Sequence, residues 1–230
     1  MKTRSPYRSV TIGTLSILLS MLMLSVGQAA TVSYNTGFAF PLSPGNQAVV
    51  LPQWDPALFP GQTLVSVELD ILATIGANVT AENDSAIGGN MGVNLTGLAN
   101  ATSSGLSATA AVLQGAGPVA VAATDGNPGA GPDFVDFGLL SGNDSDSDTI
   151  FAGLGAYIGN GTFPANIVGN GGFSVSGVSD STIQVSGFAT NGVLTVTYEF
   201  VPVPEPASIV LGAMGACGLA LVGWRRRRSK

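Results

Sequence analysis

Apolar and polar residues alternate along much of the chain between residues 31 and 201, with the period of two that is typical of strands burying one face. The longest apolar series comprises Val65, Val67, Leu69, Ile71, Ala73 and Ile75. Shorter series occupy residues 32–40 and 91–95, and no helical period competes with them. The pattern predicts an all-β domain of about eight to ten strands in an antiparallel β-sandwich with Gly-rich loops. A β-solenoid is the alternative, although no fixed repeat is present.

The end of this region, residues 181–201, predicts a hairpin. Ile183 and Val185 alternate with polar residues before Asn191-Gly192, a dipeptide that strongly favours a two-residue turn. The series after the dipeptide comprises Leu194, Val196, Tyr198 and Phe200. The glycine-rich stretches "GNPGAGP" and "GNGG" are predicted to link other strands.

The N-terminus has the three parts of a secretory signal peptide. Lys2, Arg4 and Arg8 precede a largely apolar stretch at residues 10–26, and small residues follow at Ala29 and Ala30. We therefore predict a signal peptide at residues 1–30, cleaved at Ala29 or Ala30, with the Sec machinery and signal peptidase as partners.

The C-terminus predicts one transmembrane helix. Residues 207–224 are uncharged and mostly apolar, and at about 1.5 Å per residue they are long enough to cross a hydrocarbon core of about 30 Å. Pro204 and Pro206 mark its outer end, and the arginines at 225–228 would hold the other end in the cytoplasm. A buried core helix is the alternative, but such helices seldom end in consecutive arginines. The body at residues 31–201 is thus expected outside the inner membrane, transiently anchored by this helix and then at the cell surface.

This order of features resembles the PEP-CTERM sorting signal of Gram-negative bacteria. The matching residues are Val203, Pro204, Glu205 and Pro206, followed by Arg225, Arg226, Arg227 and Arg228. The resemblance implies that an exosortase, a membrane transpeptidase, recognises the Pro-Glu-Pro and removes the tail. It also implies export to an exopolysaccharide-rich envelope, which makes exopolysaccharide a candidate partner. We interpret residues 202–230 as this signal.

The front of the body resembles a second exported family. The stretches "LPQWDPALFPGQTLVSVELDI" and "VTAEND" are similar to the choice-of-anchor E domain, with Trp54-Asp55-Pro56 and Glu82-Asn83 at matching positions. This resemblance implies fold and location and no chemistry.

The body has no fixed positive charge. All eight Lys and Arg lie before residue 9 or after residue 224, histidine is absent, and all fourteen Asp and Glu lie between residues 55 and 205. Nucleic acid and anionic lipid are poor partners for the body, and no nucleic acid is expected to bind, since both require Lys or Arg to replace counterions. Cys217, the only cysteine, lies in the predicted membrane helix, so no disulfide is expected. Most nucleophilic and zinc chemistry also lacks its residues, and we expect a protein that is not an enzyme.

Acidic residues supply the remaining candidate sites. The stretch "GNDSDSDT" places Asp144, Asp146 and Asp148 at alternate positions, a spacing that calcium loops use. Thr149 and Gly155 depart from the EF-hand pattern, and a solvated acidic loop is the alternative. A second acidic group comprises Asp125, Asp133 and Asp136.

Two carboxylate pairs, Glu68 with Asp70 and Glu82 with Asp84, could serve a glycosidase. Exposed polar positions on strands explain them better. We predict an exported, acidic, non-catalytic surface or matrix protein with a structural or adhesive role and no cofactor other than calcium. A carbohydrate-active hydrolase is the alternative.

The charge distribution makes a prediction that does not depend on fold. Trypsin cleaves after Lys or Arg, and none lies between Arg8 and Arg225. We expect residues 9–225 to survive trypsin as one piece even in urea, because resistance is here a property of sequence. Mass spectrometry after digestion in urea measures this, with chymotrypsin as the control that must degrade the unfolded chain. An internal tryptic cut would contradict it.

Overall fold

The computed structural model describes residues 28–42, 44–203, 212, 215–219 and 224. The strands are β1 (Ala30–Pro41), β2 (Gly45–Pro52), β3 (Gln62–Asn83), β4 (Gly89–Ser103), β5 (Leu106–Val121), β6 (Phe134–Ile150), β7 (Thr162–Ser176) and β8 (Ser181–Pro202), with a 3₁₀ turn at Leu154–Tyr157. In the described part of the chain they form two four-stranded sheets, ordered β1-β8-β3-β6 and β2-β7-β4-β5. The all-β sandwich is confirmed, and the solenoid alternative is not.

The predicted alternation places the apolar residues in the core between the sheets. Val67, Leu69, Ile71, Ala73 and Ile75 of β3 are fully buried. The inward residues of β8 are Leu194, Val196, Tyr198 and Phe200, and those of β4 include Met91, Val93 and Leu95. Val65 is the exception. It is half-buried, whereas Leu64 and Ser66 are buried, because the inward face changes between Ser66 and Val67.

The predicted hairpin at Asn191-Gly192 is wrong. β8 runs through the dipeptide without a turn and pairs between β1 and β3. A methyl group on Gly192 would overlap the Leu72 carbonyl oxygen and lie 2.7 Å from Phe38 Cζ. Glycine is required here by crowding from neighbouring strands. The irregularity of β8 lies earlier, at Gly187, whose φ of 66° suits glycine.

The predicted link at "GNGG" is also wrong, and crowding again explains the glycines. Residues 169–172 lie inside β7, whereas "GNPGAGP" does link two strands, β5 and β6. A methyl group on Gly171 would lie 2.6 Å from Phe188 Cζ and 3.0 Å from Gly97 Cα. One on Gly169 would lie 3.0 Å from Phe40 Cε2. These glycines allow the two sheets to approach closely.

The chain divides into two compact units. One comprises residues 31–60 and 64–200 and contains the sandwich. The other comprises residues 1–30, 61–63 and 201–230, and in it the Val203 N–H donates to the Gly61 carbonyl oxygen at 2.8 Å.

The predicted membrane helix at about 207–224 lies mostly outside the described residues. Positions 212, 215–219 and 224 are helical. Within the part of the chain that the structure describes, none of the helices has both the length and the apolar character needed to cross a bilayer. The predicted signal peptide also lies outside the described residues, except for residues 28–30.

Two adjacent glycines of β7 test the packing explanation. We expect Gly171→Ala to destabilise the fold by about 1–3 kcal/mol, because its methyl group enters filled space. Gly172→Ala is the matched control, since nothing lies within 4 Å of its added carbon, and its stability should change by less than about 0.5 kcal/mol. Urea unfolding of both variants measures this, and equal costs would contradict the explanation.

Candidate functional site

Asp144, Asp146 and Asp148 lie on β6, the edge strand of the first sheet. Their partners across the β3–β6 ladder are the buried Ala73, Ile71 and Leu69, so the three carboxylates share the inward face of the sheet. They reach β5, the edge strand of the second sheet. The Ser107 N–H donates to Asp148 Oδ2 at 2.8 Å, the Thr109 N–H to Asp146 Oδ2 at 2.7 Å, and the Ala111 N–H to Asp144 Oδ2 at 2.8 Å.

We name these three residues the aspartate ladder. Each carboxylate accepts a charge-assisted hydrogen bond from a backbone amide on the open edge of β5, the edge that does not pair with β4. An edge strand with unpaired amides can pair with a strand of another chain. Inward-pointing charged side chains at the edge are a known protection against such pairing. The structure thus places the three predicted calcium ligands in a row along β5, each at a different amide. Calcium binding at these residues stays a prediction.

At the opposite edge of the sandwich, one side chain also accepts a hydrogen bond from a backbone amide of an edge strand. β1 and β2 are the other two edge strands, and the Ala39 N–H of β1 donates to Gln47 Oε1 of β2 at 2.9 Å. Side chains therefore satisfy backbone amides where the sheets meet at both sides of the sandwich.

A second acidic region lies in the β5–β6 connection, residues 122–133, which we name the acidic loop. Asn83, fully buried at the end of β3, holds both ends of this loop. Its Nδ2 donates to the Ala122 carbonyl at 2.6 Å, and its N–H donates to the Asp133 carbonyl at 3.0 Å. Glu82 is also buried, and its Oε2 accepts the Gly129 N–H at 2.8 Å. Glu82 and Asn83 thus fix the loop to the sandwich.

Two aspartates of the acidic loop face each other. The Asp125 N–H donates to Asp133 Oδ2 at 2.8 Å, and the Asn127 N–H donates to Asp125 Oδ1 at 2.8 Å. Asp133 is fully buried, and its Oδ1 accepts no hydrogen bond. Asp136 does not join them, since its Oδ1 accepts the Gly138 N–H in a local turn. Across the described residues, no three carboxylate or thiol side chains are grouped as a metal centre.

Glu68 and Asp70 lie on the outward side of β3. Partial burial raises the pKa of Asp70 above its ordinary value, and the charges of Glu68 and Asp146 raise it further. The grooves of the described surface include two that neither carboxylate lines. One, of about 560 Å³, is bordered by Leu42, Phe173 and Phe188, and no acidic residue lines either groove.

The second carboxylate pair is used in structural contacts. Glu82 holds the acidic loop, and Asp84 Oδ2 accepts the hydroxyl of Thr182 at 2.8 Å. Neither carboxylate of this pair lines the two grooves.

Aromatic side chains pack against the C-terminal end of β8. The ring of Phe59 stacks on that of Trp54 with 5.8 Å between the ring centroids, and its centroid lies 4.7 Å from that of Phe200. The Tyr198 hydroxyl donates a hydrogen bond to the Pro52 carbonyl at 2.7 Å. Burial raises the pKa of Tyr198. Sequence reasoning noted Trp54 only as part of a resemblance, because aromatic packing between residues so distant in sequence leaves no local pattern.

Residues 202–228 match the model of the PEP-CTERM protein-sorting motif. The chain carries a PEP-CTERM sorting signal. The predicted sorting signal is therefore confirmed, and it begins at the final residue of β8. Val203 of the motif is exposed. Its other predicted residues, Pro204, Glu205, Pro206, Arg225, Arg226, Arg227 and Arg228, lie outside the described residues.

No curated protein matches the chain. Among solved structures, one titled "Structure of infectious bursal disease virus Gt strain" is 12% identical with a TM-score of 0.11, covering 88% of this chain and 49% of that one. The derived T=1 particles of the same virus give 12% identity, a TM-score of 0.12 and coverages of 88% and 48%. The chain thus spans about half the length of these structures. At such TM-scores they carry no information on fold or function.

The predicted signal-peptide cleavage site coincides with the first residue of β1. Ala29 and Ala30 are both exposed, and β1 begins at Ala30. Cleavage at this position stays a prediction.

The aspartate ladder can be tested at a single amide. Asp146→Ala removes the acceptor of the Thr109 N–H, so we expect that amide to exchange hydrogen faster while the fold loses about 1 kcal/mol. Native-state hydrogen exchange measures it. Ser145→Ala is the matched control on the outward face and should leave Thr109 unchanged. Equal exchange in both variants would show that the ladder does not protect β5.

Proposed function

We propose that this protein is a non-catalytic, acidic component of the cell surface or extracellular matrix with a structural or adhesive role. The observation that carries the proposal is the PEP-CTERM sorting signal at residues 202–228. The signal implies export, passage through the membrane and an exosortase partner. The sandwich directly before it is the part of the chain left to act at the surface.

The use of the carboxylates supports a role without catalysis. The aspartate ladder, Glu82 and Asp84 are engaged in contacts that hold strands and loops. Catalytic carboxylates instead face a cleft that binds substrate, and both grooves lack acidic residues.

The outward face of β6 supports adhesion to polysaccharide. It presents a row of exposed hydroxyl and amide side chains, at Ser141, Asn143, Ser145, Ser147 and Thr149. Such groups both donate and accept hydrogen bonds, as sugar hydroxyls do. Exopolysaccharide is therefore the proposed partner.

The proposal includes the expected processing and family. The signal peptide at residues 1–30 and a transient membrane helix at about 207–224 would deliver the body, with the arginines in the cytoplasm. The similarity of the Trp54-Asp55-Pro56 and Glu82-Asn83 stretches to the choice-of-anchor E domain supports the same location. In this chain, the first stretch packs against β8 and the second holds the acidic loop.

A carbohydrate-active hydrolase is the second candidate. The raised pKa of Asp70 beside Glu68 favours it, since a glycosidase acid needs a carboxyl that keeps its proton. The pair's position outside both grooves favours the structural role instead.

Processing of the two ends tests the proposal. We expect protein recovered from the cell surface to begin near Ala30 or Thr31 and to lack Arg225 to Arg228. Intact-mass measurement gives both ends in one experiment. A surface form that retains the four arginines would overturn sorting by tail removal.

Two variants sharpen the measurement. Glu205→Ala alters the Pro-Glu-Pro and should leave the tail attached and the protein in the membrane fraction. Asp180→Asn removes an equal charge from an exposed position of the sandwich and should be processed normally.

A further inference from the structure

The proposed surface role does not explain the buried carboxylate of Asp133. The side chain is 0% exposed, and only one of its oxygens has a hydrogen-bond donor, the Asp125 N–H. The other oxygen, Oδ1, has none. Burying a charged carboxylate is costly unless it is paired and hydrogen-bonded.

The chain offers no cationic side chain for this carboxylate. No Lys, Arg or His lies between Arg8 and Arg225, so the whole sandwich lacks a protein counter-charge. A second carboxylate, Asp125, lies close to Asp133 in the same loop. Two like charges facing each other raise the cost of the arrangement further.

The two carboxylates approach each other beside Gly131. A Cβ placed on Gly131 would lie 2.8 Å from Asp133 Oδ1 and closer still to Asp125 Oδ2. Because both oxygens are near the same point, they lie no more than about 5 Å apart. Calcium binds its oxygen ligands at about 2.3–2.6 Å, so one ion can bridge two oxygens at this separation.

The surrounding hydrogen bonds hold this arrangement in place. Asp133 Oδ2 and Asp125 Oδ1 each accept a loop amide at 2.8 Å, which turns the remaining oxygens toward Gly131. Glu82 accepts the Gly129 N–H, and Asn83 binds both ends of the loop. Asp125 is exposed, so an ion and its waters can enter from solvent.

We propose that the acidic loop binds a calcium ion between Asp125 and Asp133. Asp133 Oδ1 and Asp125 Oδ2 are the carboxylate ligands, and main-chain carbonyls of the loop together with water complete the oxygen shell. The ion supplies the counter-charge that the sandwich lacks. With two carboxylates the affinity falls in the range of extracellular modules, about 10⁻⁴–10⁻³ M. The site is separate from the aspartate ladder, whose carboxylates are engaged by β5.

Thermal unfolding of the full chain in a non-ionic detergent tests the site, with calcium chloride compared against a chelator. Millimolar calcium should raise Tm by about 3–6 °C, because an ion that binds only the folded state stabilises it by mass action. Sodium chloride at matched ionic strength is the control for charge screening. An equal rise with sodium, or no rise with calcium, would overturn the proposal.

Three isosteric variants locate the ion. Asp125→Asn changes an exposed residue and should fold normally while reducing the calcium response at least severalfold. Asp133→Asn should abolish the response and raise Tm in the chelator, since it removes the unpaired charge; a merely structural Asp133 would give a lower Tm instead. Asp146→Asn, in the aspartate ladder, should keep the full response. Loss of the response in Asp146→Asn with retention in Asp125→Asn would place the ion at the ladder and refute the site proposed here.

Discussion

Close packing of the two sheets is the interaction on which the other features of this protein depend. Cys217 is the only cysteine, so the sandwich has no disulfide to support it and relies on apolar burial. The sheets approach so closely that Gly97 and Gly169 have no room for a side chain, because residues of the facing sheet fill the space. Gly171 is crowded both by Phe188 of the facing sheet and by Thr96 of its own sheet. Aliphatic and aromatic side chains occupy the remaining interior.

Backbone amides take the place of the missing basic side chains. In most proteins Lys and Arg neutralise carboxylates, but here each acidic side chain that is fixed in place is held by N–H or hydroxyl donors. The aspartate ladder binds amides of β5, Glu82 binds an amide of the acidic loop, and Asp136 closes a turn with Gly138. This arrangement lets an acidic chain retain defined edges and loops without ion pairs within the sandwich. Among the described residues, Asp133 Oδ1 is a buried carboxylate oxygen that no donor reaches.

The sequence pattern predicted those features of the fold that depend on the spacing of neighbouring residues. Alternation identified parts of β1, β3, β4 and β8 and the core residues on them, because side chains of a strand point to opposite faces in turn. The pattern gave a wrong prediction where a residue type is required by contacts with another strand. Asn191-Gly192 has the composition of a turn, but Gly192 is required by Leu72 and Phe38. The spacing of Asp144, Asp146 and Asp148 fits both a calcium loop and one face of a strand, and the structure places the three residues on the strand β6. The sorting signal was recognisable because it is read as a linear motif.

The position of β8 in its sheet has a consequence for the timing of assembly. The strand synthesised last lies between the first, β1, and the third, β3, so β1 has no partner in its sheet until the final strand arrives. The first sheet cannot close while β8 is still in the translocation channel. Since the sorting signal begins where β8 ends, most of the chain must have crossed the membrane before the domain matures. Secretion and folding are thereby coupled, and a chain stalled or truncated before β8 leaves β1 and β3 with open edges.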